Sequence, residues 1–285
     1  MGRRTRQERA CTSGGALATD VLQLLCQVHD RVRRGVQDAR VLAEPPVGTN
    51  AKGDTQQRFD VVADAIIRRA VTESMDSGIL LSEESGEVRF GEHPPIYRFI
   101  VDPVDGSDNW GRGLPLSAVS IAVLPVDAPL QPDRVSWAMV GELREPLPLT
   151  AGRGQGAYRG SHRVRVSHVR TLQSAFLSCE LNHFDPTPAV GRLFRRARAV
   201  RTYGCASQAI TLVATGALDV HVDVRRRLTA ESFLAAALVL EEAGGCVLTG
   251  DGHPIRQLDS LVARTSLVAA ATPELAHEVI DALRG

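Results

Sequence analysis

The chain has 285 residues, 44% of them apolar, enough to bury the core of one large domain or of two packed ones. Its 33 basic and 33 acidic side chains cancel, which argues against a general nucleic-acid binder, because neutralising phosphates takes a basic excess. No apolar run reaches the roughly 18 residues that a membrane helix requires, so neither nucleic acid nor a membrane is an expected partner.

Residues 1–15 are basic but lack the apolar stretch of a signal peptide, and read as a flexible leader on a cytoplasmic protein. The five cysteines (Cys11, Cys26, Cys179, Cys205 and Cys246) are scattered and form no C-x-x-C pair, which disfavours a zinc knot or a disulfide framework. Lys52 is the only lysine, so lysine chemistry is restricted to that position.

Residues 17–41 carry apolar positions three and four apart, the mark of an amphipathic helix. Prolines and glycines within 44–53 break it. A second helix fits 59–77, with Val61, Val62, Ala65, Ile66 and Ile67 as its apolar face. Strand-like runs follow at 78–82, 97–101, 117–124 and 136–140, separated by turn residues. This half, 16–166, reads as an N-terminal α+β domain of two helices on a mostly antiparallel sheet. Beyond it, strands at 175–178, 218–222 and 246–248 alternate with helical patterns at 187–197, 205–215, 231–243 and 273–283. That alternation predicts a C-terminal α/β domain, 167–285, with helices on the faces of a second sheet.

One stretch concentrates chemistry. Phe99-Ile-Val-Asp-Pro-Val-Asp-Gly-Ser-Asp-Asn-Trp110 starts as an apolar strand and ends with Asp102, Asp105 and Asp108. Pro103 removes a backbone donor and Gly106 permits a tight turn, so Asp102 and Asp105 are expected on one side of a strand end, with the Val104 carbonyl between them. Carboxylates this close repel unless a cation joins them, and hard oxygen donors favour magnesium or manganese. Just upstream, Leu80-Leu-Ser-Glu-Glu-Ser-Gly86 is another apolar strand ending in acids. If the two ends meet at one sheet edge, Glu84, Asp102 and Asp105 form an oxygen cage. Either motif alone is also an ordinary surface turn; the ordered pair is more specific.

These motifs resemble a known family. Asp102-Pro-Val-Asp-Gly-Ser-Asp-Asn109 is similar to the Asp-Pro-Ile-Asp-Gly-Thr-x-Asn signature of the inositol monophosphatase family, and Ser82-Glu-Glu-Ser85 to its Gly-Glu-Glu-Ser element. Asp54-Thr-Gln-Gln-Arg-Phe-Asp60, Gly204-Cys-Ala-Ser207 and Glu242-Ala-Gly-Gly245 resemble further family segments, and 219–225 looks closest to the archaeal branch that includes fructose-1,6-bisphosphatases. The resemblance implies a layered αβαβα sandwich and a magnesium-dependent, lithium-sensitive phosphatase with two or three Mg2+ ions, manganese being an alternative. It further implies a small phosphorylated substrate (a polyol, sugar or nucleoside-type phosphate) and a homodimer.

By the same resemblance, Glu84, Asp102 and the Val104 carbonyl hold the first metal, while Asp102 and Asp105 contribute to the second. Ser107 stands where the family has threonine; with Glu84 it orients the attacking water, and Asp60 accepts from it. The amides of Gly106 and Ser107 cradle the phosphate. Asp223 is implied on the substrate side, with Ala206 beside it; Arg225-Arg-Arg227 is a charge run that could face a phosphorylated substrate or a partner subunit, with at least two of the three expected in a solvated loop.

One departure stands out. The family's aspartate ten residues before the glutamate of Glu-Ala-Gly-Gly corresponds to Ser232. A lost carboxylate, replacement by the adjacent Glu231, and metal binding by serine through water are the three readings. Since neighbouring residues on a helix point roughly 100° apart, Glu231 substitutes only if the helix start changes. A catalytically weakened, ligand- or partner-binding member is the alternative function.

Overall fold

The computed structural model describes residues 6–37, 47–49 and 55–285. Helix α1 (Arg6–Val36) is followed by a small ribbon of β1 (Gly48–Thr49) and β2 (Thr55–Gln56), and then by helix α2 (Arg58–Ser74). Helix α1 begins inside the expected leader and stops short of residue 41. Arg, Gln, Glu and Ala are good helix formers, and apolar periodicity marks only the stretch that packs. Residues 1–5, Lys52, Asp54 and most of the expected 44–53 break lie outside the described residues.

Eight strands form the first sheet: β3 (Ser77–Ser82), β4 (Gly86–Gly91), β5 (Tyr97–Asp105), β6 (Ala118–Pro125), β7 (Trp137–Glu142), β8 (Leu149–Gly152), β9 (Gly156–Arg159) and β10 (His162–Arg163). Their spatial order is β10-β9-β8-β7-β6-β5-β3-β4. Each neighbouring pair is antiparallel except β3 with β5, which is parallel. The short helix α3 (Ser107–Gly111) follows β5 directly.

The second sheet holds β11 (Phe176–Cys179), β12 (Ala199–Arg201), β13 (Val220–Leu228), β14 (Cys246–Leu248) and β15 (Thr265–Ala270), in the order β12-β11-β13-β15-β14. Helices α4 (Pro188–Arg196), α5 (Ala206–Ala214), α6 (Ala230–Glu242) and α7 (Pro273–Arg284) complete the chain. Strand β13 runs on through Arg225, Arg226 and Arg227, where a loop was expected; two of the three, Arg226 and Arg227, are exposed.

Strand alternation builds the layers. On one face of the first sheet, Phe99, Val101, Val119, Ile121 and Val123 pack against Leu25, Val28 and Val32 of α1 and Ala63 and Ile67 of α2. On the other face Ile100, Ala118, Ala122 and Leu124 pack against α5 and α6. Those two helices also cover Leu267 and Ala269 of the second sheet, whereas Val268 and Ala270, one residue out of phase, point to α4 and α7. The result is the expected αβαβα sandwich, with α5 and α6 shared by both sheets. Helix α6 is apolar on every side because it lies between sheets; Phe233 and every residue to Leu240 are buried.

The apolar face expected of α2 is displaced. Val61 and Ala65 are exposed, and the buried face carries Phe59, Asp60, Ala63, Asp64, Ile67, Ala70 and Val71. Two carboxylates sit on the packed side of this helix, so counting apolar residues rotates the assignment. Several strands (β4, β8 to β10, β12 and β15) carry too few residues, or too ambiguous a pattern, for periodicity to mark them. Among the described residues no helix is long and apolar enough to cross a membrane.

Candidate active site

The parallel pairing of β3 with β5 is what brings the acids together. Ser82 stands opposite Val101, and the Glu83 amide donates to the Val101 carbonyl at 3.2 Å. Parallel strands leave a sheet at the same edge, so Glu83-Glu84 and the segment from Asp102 to Ser107 emerge side by side. A cleft of about 280 Å³ opens there, lined by Thr55, Asp60, Glu83, Glu84, Val104, Ser107, Asp108 and His183.

Helix α2 fixes the first acidic turn. Asp64 Oδ1 accepts from Ser82 Oγ at 2.6 Å and from Ser85 Oγ at 3.1 Å, so one buried carboxylate clamps both serines around Glu83-Glu84. Asp60, one helical turn earlier, accepts from the Gln57 amide at 2.9 Å and caps the helix start. Burial, reinforced by the charges of Glu84, Glu83 and Asp108, pushes the Asp60 carboxyl up to about 8. Sequence reasoning missed Asp64; the signal was its position four residues after Asp60, on the same face of the helix.

The second acidic turn depends on Gly106. Its φ of 79° lies in the left-handed region, and a Cβ there would stand 2.9 Å from the Leu116 carbonyl oxygen and 3.0 Å from Cys205 Cβ. Ser117 Oγ donates to the Gly106 carbonyl at 2.9 Å. Asn109 Nδ2 donates to the carbonyls of Leu116 and Tyr203, tying this turn to the C-terminal half. Gly106→Ala is expected to destabilise the protein by about 2 kcal/mol or more, from left-handed strain and a backbone clash, and to lower activity with it. Chemical denaturation measures the loss; a change below ~0.5 kcal/mol would contradict the strained-turn account.

Asp102 is buried and stands opposite Ser120 on β6, so its side chain faces the α5–α6 layer. Ser120 Oγ donates to the Glu231 carbonyl at 3.1 Å, which brings the start of α6 onto that same face. Asp105 is committed elsewhere in part. Its Oδ2 accepts from the Ser207 amide at 2.6 Å and from Cys205 Sγ at 3.3 Å, at the first turn of α5. Burial holds its carboxyl above the ordinary range against those donors. Trp110 is buried beneath the turn, in the core with α1 and α2.

The three residues expected on the substrate side lie away from the cleft lining. Asp223 is fully buried, and Arg225 engages both of its oxygens, with Nη2 to Oδ2 at 2.7 Å and Nε to Oδ1 at 3.0 Å. The two residues pair with each other and do not line the cleft. Ala206 is buried at the start of α5 and does not line it either. A buried carboxylate needs a charged partner, and the nearest arginine in β13 supplies it.

Ser232 lies in the first turn of its helix. Helix α6 begins at Ala230, the Ser232 amide bonds the Thr229 carbonyl at 3.1 Å, and Glu231 is buried with Oε1 accepting from Thr229 Oγ1 at 2.5 Å. Glu242 supports the other half: its two oxygens accept from the Gly154 and Gly156 amides, both at 2.7 Å. Gly244, with φ of 100°, takes the left-handed geometry that ends α6.

Among the described residues, no group of three or more His, Cys, Asp or Glu side chains is arranged as a finished metal cage. The donor chemistry nevertheless fits a hard cation. The cleft gathers the carboxylates of Asp60, Glu83, Glu84 and Asp108 beside Val104, a hard-oxygen donor set that suits such an ion.

The model of the inositol monophosphatase family matches residues 13–285. The chain belongs to the inositol monophosphatase family. It is 30% identical over 242 residues to a fructose-1,6-bisphosphatase/inositol-1-monophosphatase of Thermococcus kodakarensis, covering 84% of this chain and 86% of that one. It is also 31% identical over 240 residues to the Nus factor SuhB of Escherichia coli, covering 81% and 86%. Among solved structures, the SuhB protein of Bartonella henselae superposes with a TM-score of 0.79 at 24% identity, covering 93% of this chain and 98% of that one. An inositol monophosphatase from Anabaena gives 0.74 at 20% identity, covering 93% and 96%. This inositol monophosphatase family member is accordingly a phosphoric monoester hydrolase, with archaeal enzymes among its relatives as the sequence resemblance implied.

Proposed function

We propose that this family member is a magnesium-dependent phosphatase for a small phosphomonoester, a polyol, sugar or nucleoside-type phosphate. The observation that carries the reading is the delivery of two acidic strand ends to one edge by the single parallel pair of the first sheet. Glu84, Asp102 and the Val104 carbonyl would hold the first cation. When bound, magnesium lowers the pKa of a water and offsets charge on the leaving oxygen. Glu84 and Ser107 orient the attacking water, Asp60 accepts from the Ser107 hydroxyl, and the amides of Gly106 and Ser107 hold phosphate oxygens. A magnesium titration against a panel of phosphate esters tests this: turnover is expected to rise with magnesium and to vanish with a chelator.

Ser232 motivates a second reading, a weakened member that binds a ligand or partner. Its side chain offers no carboxylate to the second cation, and the Glu231 carboxylate is engaged by Thr229. Saturable ester binding without turnover at any magnesium concentration would favour that reading.

A further inference from the structure

A second cavity, of about 330 Å³, opens on the outer face of the second sheet, away from the acidic turns. Small-molecule pockets are of this size. Its floor is apolar: Phe184, Val224 and Leu283 line it and pack on the core that the sheet shares with α4 and α7. Its polar side comes from Arg226 of β13, Arg284 in the last turn of α7, and Asp251, which both arginines meet.

Asp251 does not neutralise the two arginines. Its carboxylate stands 3.8 Å from Arg226 Nη2, beyond hydrogen-bond length. Arg284 Nη2 donates instead to the Asp251 backbone carbonyl. Two guanidinium groups thus share one carboxylate, which leaves an excess of positive charge beside an apolar floor. Arg226 is also strained. Its φ of 57° is left-handed, where the register of β13 against β15 slips between Asp223 and Leu228. That conformation costs a non-glycine residue roughly 1–2 kcal/mol, and strain of this kind gathers at ligand-binding positions.

The cavity and the active-site cleft are walled by one turn. Phe184 lines the cavity, and His183, its neighbour in sequence, lines the cleft. The Phe184 amide bonds the Leu181 carbonyl at 3.2 Å, and Glu180 Oε1 accepts from the Leu181 and Asn182 amides, each at 2.9 Å. The two side chains therefore ride on a single hydrogen-bonded unit.

We infer that this cavity binds a small monocarboxylate with an apolar body, its carboxylate on Arg226 and Arg284 and its body on Phe184, Val224 and Leu283, and that occupancy is felt at the cleft through the Leu181–Phe184 turn. A planar guanidinium matches a carboxylate in shape and charge. One negative charge offsets the excess, and the apolar floor favours an anion that carries surface to bury.

Phenylacetate is the probe, with acetate as the head group alone and phenylacetamide as the uncharged body. Calorimetric titration of the full chain is expected to show a single saturable site for phenylacetate, with acetate and phenylacetamide each about tenfold weaker or more. Arg226→Gln and Arg284→Gln are each expected to weaken phenylacetate about tenfold. Ala189→Phe, which fills the cavity from the first turn of α4, is expected to abolish binding. No saturable phenylacetate binding would overturn the site, as would equal affinity for acetate or wild-type affinity in both arginine variants. The His183 imidazole signal in proton NMR, identified by its loss in His183→Asn, is expected to shift as phenylacetate saturates the wild type and to stay fixed in Ala189→Phe. A His183 signal that does not move while the probe binds would overturn the coupling. Neither readout needs ester hydrolysis, so failure here is distinct from failure of the phosphatase reading.

Discussion

Asp102→Asn is expected to lower kcat/KM by about a thousandfold or more at saturating magnesium while leaving the fold intact. Asp102 is buried on the α5–α6 face of β5, one strand residue beyond the point where Glu83 hydrogen-bonds Val101. The amide keeps the size and shape of the side chain, so packing is preserved, but removes its negative charge from the expected first and second cation positions. Losing one carboxylate from a catalytic cation site removes several kcal/mol of transition-state stabilisation, and each 1.36 kcal/mol is tenfold in rate. Steady-state kinetics beside circular dichroism check the prediction. Wild-type rates in a folded variant would remove the metal-activated water from the account.

Ser232→Asp is expected to bind magnesium roughly tenfold to a hundredfold more tightly, a gain of about 1.4–2.8 kcal/mol. The change adds a carboxylate in the first turn of α6, next to Glu231, whose backbone carbonyl accepts from Ser120 of β6. Two effects then oppose each other without metal. A new negative charge beside Glu231 is repulsive, whereas an acid in the first turn of a helix is favourable. Magnesium removes the repulsion and leaves the benefit, so the variant's Tm should rise with magnesium more steeply than that of the wild type. Calorimetric titration gives affinity and stoichiometry directly. Equal magnesium affinity in the two proteins would mean that position 232 does not face the second cation.

Much of the site was legible before any coordinates. The two acidic motifs each follow an apolar strand, and the family resemblance assigned them to one centre; Asp60, Glu84, Val104 and Ser107 line one cleft, whereas Asp102 and Asp105 are not among its lining residues. Other residues were out of reach for identifiable reasons. Asp64 looked like one acid among many, because its partners Ser82 and Ser85 belong to a different strand end. His183 lies in a turn with no periodic signal and reaches the cleft only through the packing of the second half. Asp223 was placed beside substrate by the family resemblance, and its pairing with Arg225 two residues on had no signal in the sequence.

Local order and chemistry belong to the linear pattern: apolar runs select strands and helices, glycine at 106 permits the left-handed turn, and acids mark the strand ends. Those are properties of neighbours in sequence, and they follow from backbone sterics and side-chain type. Which strand ends share an edge, which face of α2 is buried, and which carboxylates meet a cleft rather than an arginine depend on groups far apart in the chain. Only packing two sheets about α5 and α6 fixed those pairings, because a buried charge takes its character from whatever the fold sets beside it.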